Sequence, residues 1–480
     1  NCYYKNMNGR KARKTKYIKY RQIMSDLTLD NDTYLMLKRV FMGGFTHSSL
    51  NHTGKVLKNV SSIDFTSSYP SVMLSEKFPM SRFKNTKITS LKTLKQYCKK
   101  YAVIFDVKFT NLTPKIHHEN YISESKCHNL VGAVINNGRV FSANELTTTL
   151  TNIDFDIMEI SYQWEKIAIS NVKYAHVNYL PKPIIESVLK LYQDKTELKD
   201  VAGFEVEYLL SKGMLNSIYG MTVTDIVKPT INYSENWETE NVNLTDEITS
   251  YNESKNRFLY YAWGVWITAF ARRNLWTGIT AVKNDYVYSD TDSLKILNYE
   301  KHTDYVNWFN AQILEKMVVM MDYYKLNKKL LKPKTKDGKE KLIGIWDFEG
   351  NYPLFKTLGA KRYLYQTSDN KFHLTVAGLS KQNGVNYMIE KSNNDPLKVF
   401  DMFNDNLFIP SDKTGKMTHT YIDNEVEILV TDYTGKQCKV TSLSGVYLEP
   451  CEFTLSISQQ YKTFLHNLSN GVIYKGVKHV

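Results

Sequence analysis

The chain has 480 residues, 42% of them hydrophobic, and its 62 basic and 49 acidic side chains give a formal net charge of +13. A single hydrophobic core does not extend over this length, so several subdomains are expected. The excess of positive charge favours a polyanionic partner such as nucleic acid. No apolar run is long enough for a membrane span and no signal-peptide pattern is visible, so neither a membrane partner nor export is predicted.

Cysteine usage predicts a reduced, intracellular protein. The five cysteines are odd in number and include no CxxC pair, unlike a disulfide framework. A zinc site built from His117, His118, Cys127 and His128 is an alternative, but this spacing fits no standard zinc finger and is disfavoured. The first residue is Asn, which we interpret as the sign of a fragment or a processed product.

The N-terminal 40 residues open with a basic run at positions 9–16, Gly-Arg-Lys-Ala-Arg-Lys-Thr-Lys. This run is either a solvated tail or a phosphate-contacting segment. The N-cap residue types at 30–32 predict a helix that continues to Val40. Gly43 and Gly44 follow, and paired glycines allow close approach of another backbone or of a nucleic-acid strand, although most such pairs are simple turns.

Residues 60–76 predict a short apolar strand that ends at Asp64, then a turn and a helix that begins at Pro70. Asp64 can join two further aspartates described below, and Tyr69 can form the floor of a pocket beside them. The alternative is an edge-strand Asp and a packed Tyr. Residues 81–180 alternate like strands and predict an inserted subdomain in which we assign no chemistry.

Two helices are predicted between residues 181 and 221, and the second carries a functional pattern. Lys212, Asn216 and Tyr219 are spaced i, i+4, i+7 and share one face, which suits the phosphates and base of a nucleotide. Leu210, Met214 and Ile218 form a second stripe, predicted to be the buried one. An ordinary amphipathic helix with a solvated lysine is the alternative.

Residues 222–258 are polar and predict a loop-rich insertion, whereas 259–283 predict an apolar helix.

The acidic stretch at 288–293, Tyr-Ser-Asp-Thr-Asp-Ser, comes next. Its apolar flanks predict a hairpin with the acids near the turn. In an extended conformation Asp290 and Asp292 would point to the same face. Such carboxylates repel unless a cation lies between them, and Mg²⁺ prefers oxygen ligands of this kind. A solvated turn is the alternative.

The last third of the chain contains one more functional pattern. Lys361, Tyr363 and Tyr365 alternate and are predicted to share one strand face, an arrangement that can grip a phosphate backbone. Residues 376–480 alternate strand-like runs with polar turns and predict a small β-rich or α+β module.

Together these motifs resemble those of family B DNA polymerases, and most closely the protein-primed branch of phages and linear plasmids. The resemblance spans roughly residues 40–380 in the expected order. It departs at Ser68, where the family has Leu, and at Phe41, where it has Tyr. The motifs are A at 64–70, B at 212–220, C at 288–293, Lys-x-Tyr at 361–363, Tyr-x-Gly-Gly at 41–44, and the helix before motif C at 264–272.

The resemblance implies an α+β right-hand polymerase with palm, fingers, thumb and two insertion subdomains. It implies that the family's usual N-terminal exonuclease domain lies upstream of residue 1, since its acidic motifs are not found in this chain. The implied domains are 1–40, a basic segment that ends the missing domain; 41–80, palm; 81–180, an insertion of the terminal-protein-contacting type; 181–221, fingers; 222–258, an insertion of the strand-displacement and processivity type; 259–375, palm; and 376–480, thumb.

The implied function is template-directed addition of dNTPs to a primer 3′-hydroxyl by two-metal phosphoryl transfer, with initiation from a terminal-protein hydroxyl in viral or linear-plasmid replication. The expected partners are primer-template DNA, dNTPs and a terminal protein. The enzyme is expected to be a cytoplasmic monomer, in the host cytoplasm if viral, and to use two Mg²⁺ ions, with Mn²⁺ as a substitute.

The resemblance also implies roles for individual residues. The catalytic residues would be Asp64, Asp290 and Asp292, and the metal ligands these three with the Phe65 carbonyl. The nucleotide-binding residues would be Tyr69, Lys195, Lys212, Asn216 and Tyr219. The DNA-binding residues would be Gly43, Gly44, Ser67, Gly220, Thr291, Lys361 and Tyr363.

Two other classes of protein compete with this interpretation. One is a nucleic-acid-binding protein with an inactive palm, against which the intact set of Asp64, Asp290 and Asp292 argues. The other is a different palm polymerase such as a reverse transcriptase. Reverse transcriptases place two adjacent aspartates in the catalytic turn, whereas this chain has Asp-Thr-Asp.

Overall fold

The computed structural model describes residues 3–5, 11–13, 15–233, 237–422, 426–431, 433–442 and 445–470. The chain forms two compact units. The first contains Asn1–Leu50, Ser61–Gly350 and Thr463–Val480, and the second contains Asn51–Val60 and Asn351–Lys462. Among the helices of the described ranges, none is both long and apolar enough to cross a membrane.

The helices lie mostly in the first unit, and α11–α13 belong to the second. They are α1 Thr15–Asp26, α2 Asn31–Val40, α3 Ser68–Ser75, α4 Leu91–Cys98, α5 Asn152–Ser161, α6 Lys182–Glu197, α7 Glu205–Thr222, α8 Leu244–Glu253, α9 Tyr261–Val282, α10 Thr303–Tyr324, α11 Lys381–Lys391, α12 Pro396–Met402, α13 Ser411–Thr414 and α14 Gln459–Ser469.

The strands form antiparallel sheets and hairpins. They are β1 Tyr3–Lys5, β2 Lys11–Arg13, β3 Thr46–Ser48, β4 Leu57–Phe65, β5 Phe78–Pro79, β6 Lys84–Thr86, β7 Tyr101–Pro114, β8 Cys127–Val131, β9 Val134–Asn136, β10 Arg139–Thr151, β11 Tyr162–Gln163, β12 Lys166–Asn178, β13 Thr230–Tyr233, β14 Trp237–Glu240, β15 Tyr286–Asp290, β16 Ser293–Ile296, β17 Trp346–Gly359, β18 Arg362–Gln366, β19 Phe372–Val376, β20 Phe408–Ile409, β21 Met417–Ile422, β22 Val426–Thr431, β23 Gln437–Ser442, β24 Gly445–Pro450 and β25 Phe453–Thr454.

The sheet that carries the site has the strand order β4-β16-β15-β3 in the first unit. Its register places one residue of each strand in a row: Asp64 pairs with Ser293, Ser293 with Asp290, and Asp290 with Thr46. Residues far apart in the chain therefore meet at one level of the sheet. Because these strands are paired, Asp64 and Asp290 are held at this level by backbone hydrogen bonds between strands.

The apolar helix predicted before the acidic stretch is confirmed as α9. Nearly all of its residues are buried, including Trp263 and Trp266. A helix that is apolar on every side belongs in the interior. Gly278 of α9 allows this close packing, since a Cβ there would lie 3.1 Å from the Leu294 side chain of β16. The helix thus supports the acidic strands from behind.

The remaining N-terminal predictions have different outcomes. The helix predicted up to Val40 is confirmed as α2, because the Asp30 side chain accepts a hydrogen bond from the Thr33 N–H and caps it. In the basic run at 9–16, residues 9, 10 and 14 lie outside the described residues, and Lys11–Arg13 pairs with Tyr3–Lys5.

The segment at 81–180 contains the strands that its alternation predicted. They belong to an antiparallel sheet with the order β5-β12-β7-β10-β8, which β6, β9 and β11 extend. The segment at 222–258, predicted to be loop-rich, also contains regular structure: the paired strands β13 and β14 and the helix α8. The Asn243 side chain caps α8 by accepting from the N–H of Thr245. Polar composition alone did not reveal this helix, which buries Ile248.

The buried stripe predicted on α7 is wrong for Leu210 and Met214, whereas Ile218 is half-buried against the core. Leu210 and Met214 are 59% and 58% exposed, whereas Ser211 and Leu215 are buried. Apolar residues surround this helix on several sides, so periodicity did not identify the side that packs. The smaller Ser211 lies one turn before Leu215, and this i, i+4 pair forms the packed face.

The second unit has its own core. Strands β17, β18 and β19 are antiparallel neighbours, and α11 packs against β19. Leu364, Leu374, Val385 and Phe400 are buried in this core. A run of strands, β17–β19, precedes the helices α11–α13, and a second run, β21–β25, follows them, so the module is α+β.

Candidate active site

The acidic stretch forms the predicted hairpin, which we call the catalytic hairpin: β15, residues 291–292 and β16. Asp290 ends β15 and pairs with Ser293, so Thr291 and Asp292 make a two-residue turn. Thr291 has a φ of 61°, and its N–H donates to the Phe45 carbonyl at 2.8 Å. The two acids therefore come together at the turn of the predicted hairpin rather than along one extended strand.

Asp64 joins this pair from the neighbouring strand. The N–H of the next residue, Phe65, donates to the Asp292 carbonyl at 2.8 Å, which ties the end of β4 to the turn. Burial, then the charges of Asp292 and Glu349, raise the pKa of Asp64 to about 8. Burial and the charge of Asp290 raise the pKa of Asp292 to about 6. The negative charges of these neighbouring carboxylates therefore repel one another in a half-buried place.

Lys295 and Glu349 complete the cluster, and sequence reasoning missed both. The Lys295 Nζ is buried, donates to the Ser62 Oγ at 2.5 Å and lies 3.5 Å from the Glu349 carboxylate. The Ser62 Oγ donates to Glu349 Oε2 at 2.7 Å. The charge of Lys295 opposes the rise in the pKa of Asp64. A signal was available, since a lysine between Leu294 and Ile296 in a buried strand requires a partner.

The glycine pair bears on the catalytic hairpin. A Cβ on Gly44 would lie 2.5 Å from the Thr291 Oγ1, whereas a Cβ on Gly43 would meet no atom within 4 Å. Only glycine therefore fits at position 44 beside this turn. Two residues on, the Thr46 Oγ1 donates to Asp290 Oδ1 at 2.7 Å. The segment thus shapes the acidic turn directly.

Arg272 lies at the end of the motif that precedes the hairpin, and it binds the backbone of the glycine segment, residues 42–44. Its guanidinium is buried, donates to the Gly43 carbonyl at 3.1 Å and pairs with Asp154 at 2.6 Å. It also donates to the carbonyl of Met42. A buried charge needs such partners, and these tie α9 and α5 to the glycine segment.

The predicted nucleotide-binding residues converge in part. The rings of Tyr69 and Tyr219 stack, with centroids 4.1 Å apart and planes at 24°. The Lys195 Nζ donates to the Ser67 Oγ at 2.9 Å. Burial, then the nearby charges of Lys212 and Lys199, lower the pKa of Lys195. Two tyrosine rings and a group of lysines therefore border the acidic cluster.

Other predicted residues lie on α7 or in the second unit. Asn216 and Gly220 lie on exposed parts of α7. Lys361 and Tyr363 belong to the second unit. Lys361 has a φ of 54° and precedes β18, so the prediction that it shares a strand face with the two tyrosines is wrong.

Two histidines of the alternative zinc site, His118 and His128, have protein partners. The His118 Nε2 lies 3.3 Å from the Ile279 carbonyl, and the His128 Nε2 lies 3.1 Å from the Thr149 Oγ1. Hydrogen bonding within the fold therefore explains why histidine occupies these two positions, without a zinc ion.

Residues 13–311 match the family described as DNA polymerase type B, organellar and viral. This match covers more than half of the chain, and the chain belongs to that family. It is a DNA-directed DNA polymerase, as the acidic hairpin and the motif order predicted. A search of curated proteins gave no match.

The chain is similar in structure to phi29 DNA polymerase. The orthorhombic crystal form superposes with a TM-score of 0.57 at 18% identity, covering 92% of this chain and 67% of that one. The complex with primer-template DNA and incoming nucleotide gives 0.56 at 18% identity, covering 92% and 68%. The complex with single-stranded DNA gives 0.56 at 17% identity, covering 93% and 68%. The predicted α+β polymerase fold is confirmed.

Proposed function

We propose that this polymerase adds dNTPs to a primer 3′-hydroxyl on a DNA template by two-metal phosphoryl transfer, with Asp64, Asp290 and Asp292 as its catalytic acids. The observation that carries the proposal is the row across four strands, which joins Asp64 to the catalytic hairpin. Structures of phi29 polymerase with primer-template DNA support DNA as the substrate.

The residues at the hairpin fit divalent cations. Within the described ranges, no three His, Cys, Asp or Glu side chains already stand in a metal-binding arrangement. The chemistry nevertheless suits Mg²⁺, because the donors are oxygen atoms and the pKa values of Asp64 and Asp292 are raised by burial and then by the charges of neighbouring carboxylates. We assign two Mg²⁺ ions, which Mn²⁺ can replace, to Asp64, Asp292 and the Phe65 carbonyl, with support from Asp290. When bound, the ions activate the attacking hydroxyl and stabilise the departing pyrophosphate.

Each remaining residue has a role in binding or orientation. Lys195 and Lys212 pair with the triphosphate as charge develops on it. Tyr69 packs against the sugar and excludes a 2′-hydroxyl, and Tyr219 with Asn216 lines the nascent base pair. These roles agree with the stacked tyrosine rings beside the acidic cluster. The backbone of DNA is contacted by Gly43, Gly44, Ser67, Gly220 and Thr291, and the primer strand by Lys361 and Tyr363.

We further propose that synthesis can start on a hydroxyl group of a terminal protein, with the enzyme acting as a cytoplasmic monomer. Two features support this priming mode: the motif resemblance to the protein-primed branch, and the strand-rich insertion between motifs A and B. The test is transfer of a labelled nucleotide to a candidate priming protein without a DNA primer. A product that requires an oligonucleotide primer would contradict this mode.

The central test is primer extension with dNTPs and Mg²⁺ by the wild type and by Asp292→Asn. We expect the variant to lose incorporation by about 1000-fold or more, because the acid that holds the ions is gone, while DNA binding stays nearly intact. Asp337→Asn, on an exposed turn, is the matched control and should extend normally. Normal extension by Asp292→Asn would remove this residue from the metal site.

A further inference from the structure

The back of the catalytic hairpin carries buried polar groups that the proposed mechanism does not use. The pairing of β15 with β16 shifts register between Tyr286 and Tyr288, and this shift brings the side chains of Tyr286 and Ser289 to the same face of the sheet. Their hydroxyl oxygens lie 2.9 Å apart, and both side chains are fully buried. Asp290 projects from the opposite face, because successive side chains alternate along a strand. The residue directly before this acid is therefore hydrogen-bonded behind the site.

A carboxylate from the insertion at 81–180 completes this arrangement. Glu119 lies between β7 and β8 and is fully buried, and its Oε2 accepts a hydrogen bond from the Tyr286 hydroxyl at 2.8 Å. The His47 carbonyl is a second acceptor, at 3.2 Å, but the bond to the charged carboxylate is shorter and stronger. Since the tyrosine hydroxyl has one proton and gives it to Glu119, the Ser289 hydroxyl must be the donor toward the tyrosine oxygen. The hydrogen bonds thus run in one direction, from the hairpin into the insertion.

The same carboxylate also reaches β3, the strand that pairs with β15. The Glu119 Oε1 lies 2.6 Å from the Nδ1 of His47, which is buried, and the Nε2 of this histidine donates to the Asn136 carbonyl at 3.1 Å. His47 directly follows Thr46, whose hydroxyl donates to Asp290 at 2.7 Å. One buried carboxylate therefore contacts both of the strands that hold this hydrogen bond.

We propose that Glu119 is a positioning residue for the catalytic acids. It acts on Asp290 through the hydroxyl pair of β15 and on Thr46 through His47, so the insertion fixes the acidic turn from behind. Loss of the carboxylate would leave buried donors on both strands without their acceptor, and the strands would shift to satisfy them. The role rests on the proposed two-metal function, because the position of Asp290 matters to the chemistry only if this acid supports the ions.

The mildest test is Tyr286→Phe in the full chain, which removes one hydroxyl and keeps the ring. We expect the single-turnover rate of incorporation to fall by about tenfold and Mn²⁺ binding, measured by electron paramagnetic resonance, to weaken by about threefold to tenfold. Binding of primer-template DNA should change by less than about twofold, because no DNA-facing group is altered. Tyr162→Phe is the matched control. Its buried hydroxyl donates to the Val140 carbonyl at 2.6 Å within the insertion, so this variant should keep the wild-type rate and Mn²⁺ binding.

A second variant tests the carboxylate itself. Glu119→Gln keeps the side-chain size and removes the charge, and combined with Tyr286→Phe it should lose far less than the product of the two single losses, because both changes break the same hydrogen bond. Unchanged incorporation and Mn²⁺ binding in Tyr286→Phe would overturn the proposal. So would losses that multiply in the double variant, or an equal loss in Tyr162→Phe, which would make Glu119 a residue of the core only. A wild type that extends no primer would refute the proposed function, and Mn²⁺ binding by the same variants would still decide the positioning role.

Discussion

The catalytic hairpin and helix α7 both contribute to the candidate active site, but they are held in opposite ways. The hairpin is fixed by strand pairing, by the close approach of Gly44 and by the bonds of Thr46 and Lys295. Helix α7 is largely exposed and buries chiefly Ser211, Leu215 and Thr222. The acidic residues of the hairpin are thus held by several independent contacts, whereas α7 keeps an open surface.

The difference follows from the electrostatics of each region. Half-buried carboxylates repel one another and would separate without a rigid frame. Under the proposed function, the lysine, amide and tyrosine side chains on α7 would meet a nucleotide that arrives from solvent, so they would need access more than confinement. Variants that disturb the frame should therefore have larger effects on chemistry than variants of the exposed helix face.

The largest effect in this comparison is expected at Gly44. Gly44→Val would force a Cβ into the Thr291 side chain and shift the acidic turn, so incorporation should fall by about 100-fold or more. Primer extension under single-turnover conditions measures this loss, with circular dichroism to verify folding. Gly43→Ala is the matched comparison and should cost much less, since its Cβ meets no atom within 4 Å. Equal losses of incorporation at both glycines would contradict the conclusion that Gly44 positions the acidic turn through its close approach to Thr291.

The surroundings of α7 are tested at Tyr69 of α3, which stacks on Tyr219 of α7. Tyr69→Val removes the ring beside the sugar, and we expect the preference for dNTP over rNTP to fall by about tenfold to 100-fold. Competition assays with matched dNTP and rNTP measure this preference. Tyr69→Phe keeps the ring and should keep the discrimination. An unchanged preference in Tyr69→Val would show that this residue does not exclude the 2′-hydroxyl of an rNTP.

Lys295 tests the charge balance inside the frame. Its positive charge opposes the rise in the pKa of Asp64, which stands at about 8. In Lys295→Met that pKa rises further, so less Asp64 is ionised near neutral pH and proton competition with Mg²⁺ increases. We expect incorporation at pH 7 to fall by about tenfold and the pH profile to move upward.

The controls for Lys295 distinguish charge from packing. Lys295→Arg retains the charge and should keep the pH profile close to that of the wild type. Raised Mg²⁺ should partly restore Lys295→Met, since the ion competes with protons for the same carboxylates. A uniform loss at every pH would instead indicate that Lys295 acts through packing.

The smallest effects are expected on the exposed side of α7. Leu215→Ala empties a buried position and should lower the apparent melting temperature by several degrees, in line with the cost of about 2–5 kcal/mol for such changes. Leu210→Ala changes an exposed position and should shift it by less than about 1 °C. Thermal unfolding measures the apparent melting temperature of both variants. A larger drop for Leu210→Ala than for Leu215→Ala would mean that the Leu210 face is covered in solution.

Local patterns were sufficient for some elements. The capped helix α2, the apolar helix α9 and the hairpin around Asp290 follow from residue types within one or two turns or strands. The site was predicted in part: the three aspartates, Tyr69 and Tyr219 do converge. The buried face of α7 could not be predicted, because several of its sides are apolar and only the neighbouring helices select one.

The sequence by itself determined the family, the order of the motifs and the acids of the catalytic hairpin, because each single motif consists of residues close together in the chain and can be recognised without the fold. Only the tertiary structure decided that Lys295, Ser62 and Glu349 join those acids and that Gly44 must be glycine beside Thr291. Thr46 and Asp290, for example, are 244 positions apart and meet through strand pairing. Periodicity reports which side of one element is apolar, whereas cross-strand register and close packing depend on how distant elements assemble.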